Sequence, residues 1–348
     1  MTLSHPDGDV RIEETAGGRR RISVDLNPGA PRAPVTEWET AYPVDLIELV
    51  LAIKGPAYLC DEIMRDEDPR TVEATLETDL LSYVERRRFA GAAILDYGCG
   101  CGASTVVLAR MFPTASLVGI DVNEPLLALA RARAEFHALS RVRFDVTPDG
   151  RQLPQGIGPF DFVVLSAVYE HMYPDERAGA LASLWSALKP GGTLFLDQTP
   201  FRYFPIENHT TGLPLINYLP DRAAHFVARK CSRRVRPDAS WSGLLRDGIR
   251  GGTVREIVGH LRKSPAEEPI LLRPSLRGCR DRIDLWHALS GGVRFRRAKL
   301  GAKAVFKLIR WTTGLVAVPN LALAIQKPEP GRMDSDRKPA MNQALPSH

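Results

Sequence analysis

The stretch "ILDYGCGCGAST", residues 94–105, constrains the fold of this chain more than any other feature of the sequence. The apolar run "AAILDY" predicts a buried strand, and "ASTVVLARMF" predicts an amphipathic helix directly after it. Gly98, Gly100 and Gly102 lie between the two. Glycine at such a turn permits unusual φ angles and lets a ligand approach the backbone, where the helix start offers free N–H groups. The stretch predicts a ligand-binding loop; taken alone, a tight turn with incidental glycines fits equally well.

The residues that follow repeat the pattern of strand and helix. Further strands are predicted at "SLVGID", "VRFDV", "FDFVVLS" and "GTLFLDQ". Further helices are predicted at "EPLLALARARAEFHAL" and "ERAGALASLWSALK". Strands that alternate with helices indicate an α/β fold with a parallel sheet that is covered on both faces.

A polar side chain ends each of the first four predicted strands. In an open parallel sheet, ligands bind at the carboxyl ends of the strands. Asp96 ends the first strand, Asp121 the second, Asp145 the third and Ser166 the fourth. A carboxylate at Asp121 can accept hydrogen bonds from ribose hydroxyls, and one at Asp145 can accept from the amino group of adenine. For Asp121 alone, the alternative is a helix N-cap.

As a set, these stretches resemble the class I S-adenosylmethionine-dependent methyltransferases over roughly residues 91–200. The matching stretches are "ILDYGCGCGAST", "LVGIDVN", "VRFDV", "FDFVVLSAVYEHMYP" and "LKPGGTLFLDQTP". The resemblance implies a Rossmann-like fold with a mostly parallel seven-stranded sheet, and S-adenosylmethionine as cofactor. The G-x-G-x-G spacing also departs from the G-x-G-x-x-G of nicotinamide enzymes, which weakens a dehydrogenase interpretation.

The resemblance also implies roles for individual residues. The glycines would pack under the methionine and ribose of the cofactor, and Asp96 would shape the loop or hold the methionine ammonium. The residues implied to bind the cofactor are Asp96, Gly98, Cys99, Gly100, Gly102, Asp121, Val122, Asp145, Val146 and Ser166.

Three residues are candidates for the proton transfer that a hydroxyl acceptor requires. His171 follows the fourth strand, and Glu207 and His209 lie in "TPFRYFPIENHTTGLPLINYLPDRAA", which we expect to face the acceptor. The alternatives are that His171 bonds backbone at a helix start and that His209 caps a helix or bonds a carbonyl. No metal site is predicted, because the five cysteines are scattered and form no CxxC pair.

Charge is distributed unevenly along the chain. Residues 1–220 carry a net charge of −10 and residues 221–310 carry +14. The basic region either pairs with the acidic one or indicates a small-molecule acceptor that is phosphate-bearing or otherwise anionic. Gly251, Gly252 and Arg250, at a predicted helix start, are candidates to take an anion. No aromatic stacking motif supports a specific nucleic-acid partner.

The segment "VRFRRAKLGAKAVFKLIRW", residues 293–311, interleaves apolar and basic residues at helical spacing. Such a helix can contact a membrane surface peripherally. We favour the other arrangement, in which its apolar side packs in the protein core.

The predicted organisation has six parts. A disordered tail (1–36) precedes an N-terminal helical segment (37–90) and the cofactor-binding core (91–200). An acceptor-side basic insertion (201–312), a returning strand (313–328) and a second disordered tail (329–348) follow. No signal peptide is visible and the late run "TGLVAVPNLALAI" is too short to span a bilayer, which predicts a cytoplasmic protein.

The predicted function is methyl transfer to a small-molecule, glycan or lipid-linked acceptor, with oxygen favoured as the methylated atom. One alternative is methylation of nitrogen or carbon. The alternative from another class is a non-catalytic adenosine-binding or assembly subunit on the same fold.

Overall fold

A computed structural model describes residues 1–262, 268–290 and 296–329. The strands in these residues are β1 (Thr2–His5), β2 (Gly8–Glu14), β3 (Arg20–Leu26), β4 (Glu37–Thr40), β5 (Ala93–Tyr97), β6 (Ser116–Asp121), β7 (Val142–Val146), β8 (Phe160–Ser166), β9 (Leu188–Pro200), β10 (Ile270–Leu271) and β11 (Asn320–Gln326). The helices are α1 (Val44–Lys54), α2 (Pro56–Glu67), α3 (Val72–Tyr83), α4 (Ala103–Met111), α5 (Glu124–Phe136), α6 (Pro174–Ala187), α7 (Asp221–Cys231), α8 (Trp241–Arg246), α9 (Val254–Leu261), α10 (Arg282–Leu289) and α11 (Arg296–Thr313). No helix among these residues is long and apolar enough to cross a membrane.

The N-terminal residues form an antiparallel sheet in the order β1-β2-β3-β4, so the predicted disordered tail over 1–36 is wrong. The sheet forms because apolar and polar residues alternate along these strands. The prediction missed this alternation because the segment is rich in Gly and Arg, a composition typical of loops. Val10 and Ile12 of β2 are buried, and Ile12 lies opposite the buried Ile22 of β3. This apolar face packs with side chains of α1 and α2 in one hydrophobic cluster. β4 likewise occupies the start of the predicted helical segment, and α1, α2 and α3 form the rest.

The second sheet has seven strands in the order β10-β11-β9-β8-β5-β6-β7. β5, β6 and β7 pair in parallel, as do β8 and β9, whereas β11 runs antiparallel to β9 and β10 antiparallel to β11. The predicted α/β fold with a mostly parallel seven-stranded sheet is therefore confirmed. β11 lies within the predicted returning strand and pairs with β9.

The chain divides into two compact units. The first unit comprises Met1–Glu77 and Arg86–Asp149, and it contains the N-terminal sheet, the glycine loop and strands β5 to β7. The second comprises Thr78–Glu85 and the described residues from Gly150 onward, including β8, β9 and the basic insertion.

The predicted packing of the basic helix in the core is wrong for α11, in which no residue is buried. Leu308 is 57% exposed and Trp311 is 83% exposed. The face of α11 that lies toward α10 is held by ion pairs, since Lys307 lies 2.6 Å from the Asp281 carboxylate. Phe306 packs edge-on against Trp286 of α10 on the same side. Residues 293–295 of the predicted helix, and all but Glu329 of the predicted C-terminal tail, lie outside the described residues.

Candidate active site

The glycine loop after β5 has the conformation that its sequence predicts. Gly98, Gly100 and Gly102 have φ angles of +72°, +52° and +78°, a region that favours glycine. A Cβ atom at Gly102 would lie 2.6 Å from the Cβ of Ala130, so α5 packs directly on this position. A Cβ at Gly100 would meet no atom within 4 Å. The loop is therefore tightly packed at Gly102 and open at Gly100, where a ligand can approach the backbone.

Asp96 organises the start of α4 from within the core. Its Oδ2 accepts hydrogen bonds from the hydroxyls of Ser104 and Thr105, each at 2.6 Å. Burial raises the pKa of this carboxyl, and the two hydroxyls act in the opposite direction. These contacts favour the loop-shaping role over a contact with the methionine ammonium.

Asp121 joins the end of β6 to the glycine loop. One carboxylate oxygen accepts from the backbone N–H of Gly100 and the other from that of Asn123, both at 2.9 Å. The N-cap of α5 is Asn123, whose side chain accepts from the N–H of Leu126. The N-cap position is thus occupied by Asn123, so the alternative interpretation of Asp121 as the N-cap does not hold. Each carboxylate oxygen can accept more than one hydrogen bond, so capacity remains for ribose hydroxyls.

Apolar and acidic side chains are accessible at the ends of β6 and β7. Val122 is 58% exposed and Val146 is 41% exposed. Asp145 lies 3.3 Å from the guanidinium of Arg143 and is partly exposed. Two accessible valines and a carboxylate are suited to a flat base that bears an amino group.

Cys99 points away from solvent into a cluster with Leu127, Ala130 and Phe144. Its backbone N–H donates to the carbonyl of Ile120 at 3.0 Å, and burial raises the pKa of its thiol. Its side chain therefore packs the loop against α5 instead of presenting sulfur to a ligand. The cofactor contact predicted for Cys99 remains a prediction, and the backbone of Cys99 is the part that could make it.

A buried arginine supports the glycine loop through a hydrogen bond to its backbone. Arg133 of α5 is fully buried and donates to the Cys101 carbonyl at 3.0 Å and to the Glu62 carboxylate at 2.9 Å. This anchor was not predicted, because Glu62 lies in α2 and no local pattern links it to a loop some 40 residues later.

In the second unit, Glu170, His171 and His209 form one cluster. One ligand-capable atom from each residue lies within 4.8 Å of those of the other two. Glu170 and His171 come from a short 3₁₀ turn after β8, and His209 comes from the loop after β9. The rings of His171 and His209 are 5.4 Å apart between centroids. Two of the three predicted catalytic residues are thus brought together, with a buried carboxylate that was not selected from the sequence.

One hydrogen bond of the cluster sets the tautomer of the neutral His171 ring. His171 Nδ1 lies 2.5 Å from the carbonyl oxygen of Arg246, which can only accept, so Nδ1 is the donor. In the neutral ring the other nitrogen, Nε2, then carries a lone pair, and it lies 3.9 Å from Glu170 Oε1. The second Glu170 oxygen, Oε2, accepts from Thr199 at 2.9 Å. Burial lowers the pKa of His209, and neighbouring His171 lowers it further.

Glu207, the third predicted catalytic residue, is a structural element of its loop. It is almost fully buried, and its two oxygens accept from the backbone N–H groups of His209, Thr210 and Thr211 and from the Thr211 hydroxyl. Four donors occupy this carboxylate, which favours a role in positioning His209 over one in proton transfer. Ser166, the predicted residue at the end of β8, accepts from the side chain of Gln198 at 2.9 Å.

The anion site predicted around Gly251 and Gly252 does not fit the structure. The N–H of Gly252 donates to the carbonyl of Pro200, and a Cβ at Gly251 would lie 1.9 Å from that oxygen. Arg250 is buried and donates to the Asn217 carbonyl at 3.1 Å. These groups hold the insertion against the end of β9, so they are not available to an anion.

Comparison with known proteins identifies the family. A family model described as a methyltransferase domain matches residues 94–192. Trans-aconitate 2-methyltransferase from Variovorax paradoxus is 36% identical over 248 residues, which are 71% of this chain and 76% of that protein. The chain belongs to the class I S-adenosylmethionine-dependent methyltransferases. The enzyme is also 30% identical over 185 residues to fatty-acid O-methyltransferase from Mycolicibacterium smegmatis, covering 51% of this chain and 65% of that protein.

One solved structure similar to this methyltransferase contains the cofactor. It is the S-adenosylmethionine-bound structure of an amino pentose methyltransferase from Micromonospora echinaspora, with 33% identity, coverage of 38% of this chain and 51% of that chain, and a TM-score of 0.30.

The cofactor of the enzyme is S-adenosylmethionine, and the first unit fits it. The open backbone at Gly100, the spare acceptor capacity of Asp121 and the accessible Val122 are what an adenosine without a phosphate requires. When bound, the cofactor supplies a methyl group already activated by its sulfonium. The protein's tasks are then to orient the acceptor and, for a hydroxyl, to take up its proton.

Proposed function

We propose that this methyltransferase acts on an oxygen atom of a small anionic acceptor that carries a carboxylate. The observation that carries the proposal is a half-buried arginine in the segment that follows β9, one of whose guanidinium nitrogens lacks a hydrogen-bond partner among the described residues. The Nη1 atom of Arg202 is buried and has no hydrogen-bond partner among the described residues. Leaving a buried N–H group of a cation without a hydrogen bond is costly, so this nitrogen is suited to an anion supplied by a ligand.

The surroundings of Arg202 support the same assignment. Burial lowers the pKa of its guanidinium, and the positive charge of Arg250 lowers it further. Arg202 lies 5.9 Å from the ring centre of Tyr203, and the aromatic ring of Tyr218 lies 6.2 Å from that of Tyr203. A carboxylate beside this guanidinium would relieve the repulsion between the two arginines, and the tyrosines offer apolar surface to the rest of the acceptor.

The names of two relatives support an acid as acceptor. They are a trans-aconitate 2-methyltransferase and a fatty-acid O-methyltransferase. A carboxylate is already deprotonated at neutral pH, since its pKa is about 4, and its oxygen can accept a methyl group without a general base.

A hydroxyl acceptor is the second candidate, and the lone pair on His171 Nε2 favours it. The hydrogen bond to the Arg246 carbonyl orients this imidazole as a proton acceptor. His209 is the neighbouring candidate for the same role. The two candidate functions differ in one respect: only hydroxyl methylation requires a group that takes up a proton.

The test is a two-step measurement. A set of small acids and alcohols is first incubated with the enzyme and methyl-labelled cofactor, and the products are identified by mass. Steady-state rates are then compared for the wild type, Arg202→Ala and Arg202→Lys, with Arg236→Ala as the control because Arg236 is largely exposed and pairs with Asp238.

We expect Arg202→Ala to raise KM for the anionic acceptor about 10- to 100-fold with little change in kcat, as the loss of a charge-assisted hydrogen bond predicts. Arg202→Lys should recover part of the loss, and Arg236→Ala should behave like the wild type. An unchanged KM in a folded Arg202→Ala enzyme would contradict the proposal.

A further inference from the structure

We propose that Glu170, His171 and His209 form a binding site for one divalent transition-metal ion, and that zinc is a suitable probe for it. The three residues supply two imidazole nitrogens and one carboxylate oxygen. Three such ligands with an open fourth position are the set that catalytic zinc sites use, and two histidines with one carboxylate also bind ferrous iron.

The spacing of the ligand atoms is compatible with an ion after a small adjustment. Zinc lies about 2.0–2.2 Å from nitrogen and oxygen ligands, so two tetrahedral ligands are about 3.4 Å apart. Glu170 Oε1 and His171 Nε2 are 3.9 Å apart, and all three ligand atoms lie within 4.8 Å of one another. Rotation of the side chains by about 1 Å at their tips would bring the three atoms to this spacing.

A buried carboxylate oxygen without a hydrogen-bond partner points to the same ligand. Glu170 is fully buried, and its Oε1 has no hydrogen-bond partner among the described residues. Buried carboxylate oxygens are normally hydrogen-bonded or coordinated, because an unpaired one costs free energy. An ion between Oε1 and the imidazoles would supply the missing partner.

The groups behind the ligands are arranged as metal sites require. Ligating histidines commonly donate their second ring N–H to a carbonyl or carboxylate, and ligating carboxylates are themselves hydrogen-bonded. His171 donates to the Arg246 carbonyl, and Thr199 donates to the far oxygen of Glu170. The Arg246 guanidinium is fixed in turn by Glu176 at 2.7 Å and by the Tyr173 ring at 3.8 Å.

The third ligand is held by the loop that Glu207 organises. Glu207 accepts from the N–H of His209 itself and from the two residues that follow it. Gly248 lies against the other side, since a Cβ there would be 2.7 Å from the His209 ring and 3.2 Å from Glu170. This arrangement gives Glu207 a positioning role for a metal ligand.

An ion at this cluster leaves a coordination position for an oxygen of the acceptor. A bound metal ion lowers the pKa of a coordinated hydroxyl and orients a coordinated carboxylate. This consequence rests on the proposed methylation of oxygen, whereas the binding of the ion does not. With an ion bound, the Nε2 lone pair of His171 is coordinated, and the ion replaces the imidazole as the group that activates a hydroxyl.

The experiment measures metal binding alone. The untagged full-length chain with Cys231→Ser, which removes the exposed thiol, is titrated with Zn²⁺ by calorimetry without cofactor or acceptor. We expect one ion per chain with a dissociation constant on the order of 1 µM or below. His171→Ala and His209→Ala should weaken binding roughly 100-fold. His260→Ala, which removes a histidine of α9, is the matched control and should bind as the parent does.

Glu170→Gln keeps the size of the side chain, so it tests the site if an alanine variant does not fold. It too should weaken Zn²⁺ binding, and Co²⁺ should give visible d–d absorption with the parent chain and lose it with Glu170→Gln. Absence of stoichiometric binding in the parent, or equal binding in the ligand variants, overturns the inference. Either result leaves oxygen methylation intact, because that is tested by product mass and by Arg202.

Discussion

The glycine-loop region of this enzyme and the cluster of Glu170, His171 and His209 are built in different ways. In the first, Asp96 and Asp121 lie in the last positions of the adjacent parallel strands β5 and β6. Asp96 accepts from Ser104 at the start of α4, and Asp121 accepts from the N–H of Gly100 in the loop after β5. In the second, the Glu170 cluster depends on Thr199, on the Arg246 carbonyl and on a loop held by Glu207. A repeated β-α unit therefore positions the first set, whereas separate loops must meet to form the second.

The largest expected effect concerns the histidines of the second region. With a hydroxyl acceptor, His171→Ala or His209→Ala should lower kcat by roughly 10²–10⁴-fold, the usual contribution of general acid–base catalysis. Affinity for S-adenosylmethionine, measured by calorimetry, should stay at the wild-type value. His225→Ala is the control, because His225 bonds the Ala239 carbonyl elsewhere in the insertion. Near-full rates in both histidine variants would exclude the hydroxyl route.

The next largest expected effect concerns Asp96, below the glycine loop. Asp96→Ala should lower the free energy of unfolding by about 1–3 kcal/mol, because the buried Thr105 hydroxyl and the partly buried Ser104 hydroxyl lose their acceptor. Urea denaturation followed by circular dichroism measures this change. Thr312→Ala removes an exposed hydroxyl of α11 that donates to the carbonyls of Leu308 and Ile309, and it should cost much less. Equal losses for the two variants would contradict the role given to Asp96.

The pH dependence of Asp96 gives a further expected result. Burial raises the pKa of this carboxyl in the folded protein, so the folded state binds more protons than the unfolded state between the two pKa values. Its contribution to stability is therefore present at low pH and is lost as pH rises through the folded pKa. Unfolding free energies of the wild type relative to Asp96→Asn should fall with rising pH above about 4. A difference that rises with pH would contradict the assignment.

The smallest effect tests the exposed helix. Trp311→Ala should change the free energy of unfolding by no more than about 0.5 kcal/mol, because the side chain is 83% exposed. Trp185→Ala, in the fully buried face of α6, should cost about 3–5 kcal/mol. Thermal melts of the two variants decide whether α11 covers the core. A large loss of stability in Trp311→Ala would instead support the predicted packing of this helix in the core.

The same contrast explains what the sequence could predict. The strands β5, β6, β7 and β8 and the conformation of the glycine loop follow from local patterns, because periodicity and glycine geometry act over a few residues. The orientation of α11 depends instead on Asp281 and Asp284, which lie at the N-terminal end of α10. Glu170 could not be selected as a site residue from the sequence, because its signal is a buried oxygen without a hydrogen-bond partner, which only the folded chain reveals.

The N-terminal sheet did have a local signal. Val10, Ile12, Ile22 and Val24 alternate with polar residues across β2 and β3, but short strands in a Gly- and Arg-rich segment resemble a loop by composition. Glu207 shows the opposite error. Its polar and aromatic sequence neighbours suggested a catalytic role, whereas its hydrogen bonds to the backbone of the following residues indicate a structural role in a turn.

The most direct test of the account is a calorimetric titration of S-adenosylmethionine into the wild type, Asp121→Ala and Arg202→Ala. If the glycine loop and the end of β6 hold the cofactor, Asp121→Ala should weaken binding by about 1–3 kcal/mol, the cost of leaving charge-assisted hydrogen bonds unmade. Arg202→Ala should bind the cofactor as the wild type does. Unchanged affinity in a folded Asp121→Ala enzyme, or an equal loss in Arg202→Ala, would contradict the separation of cofactor and acceptor residues.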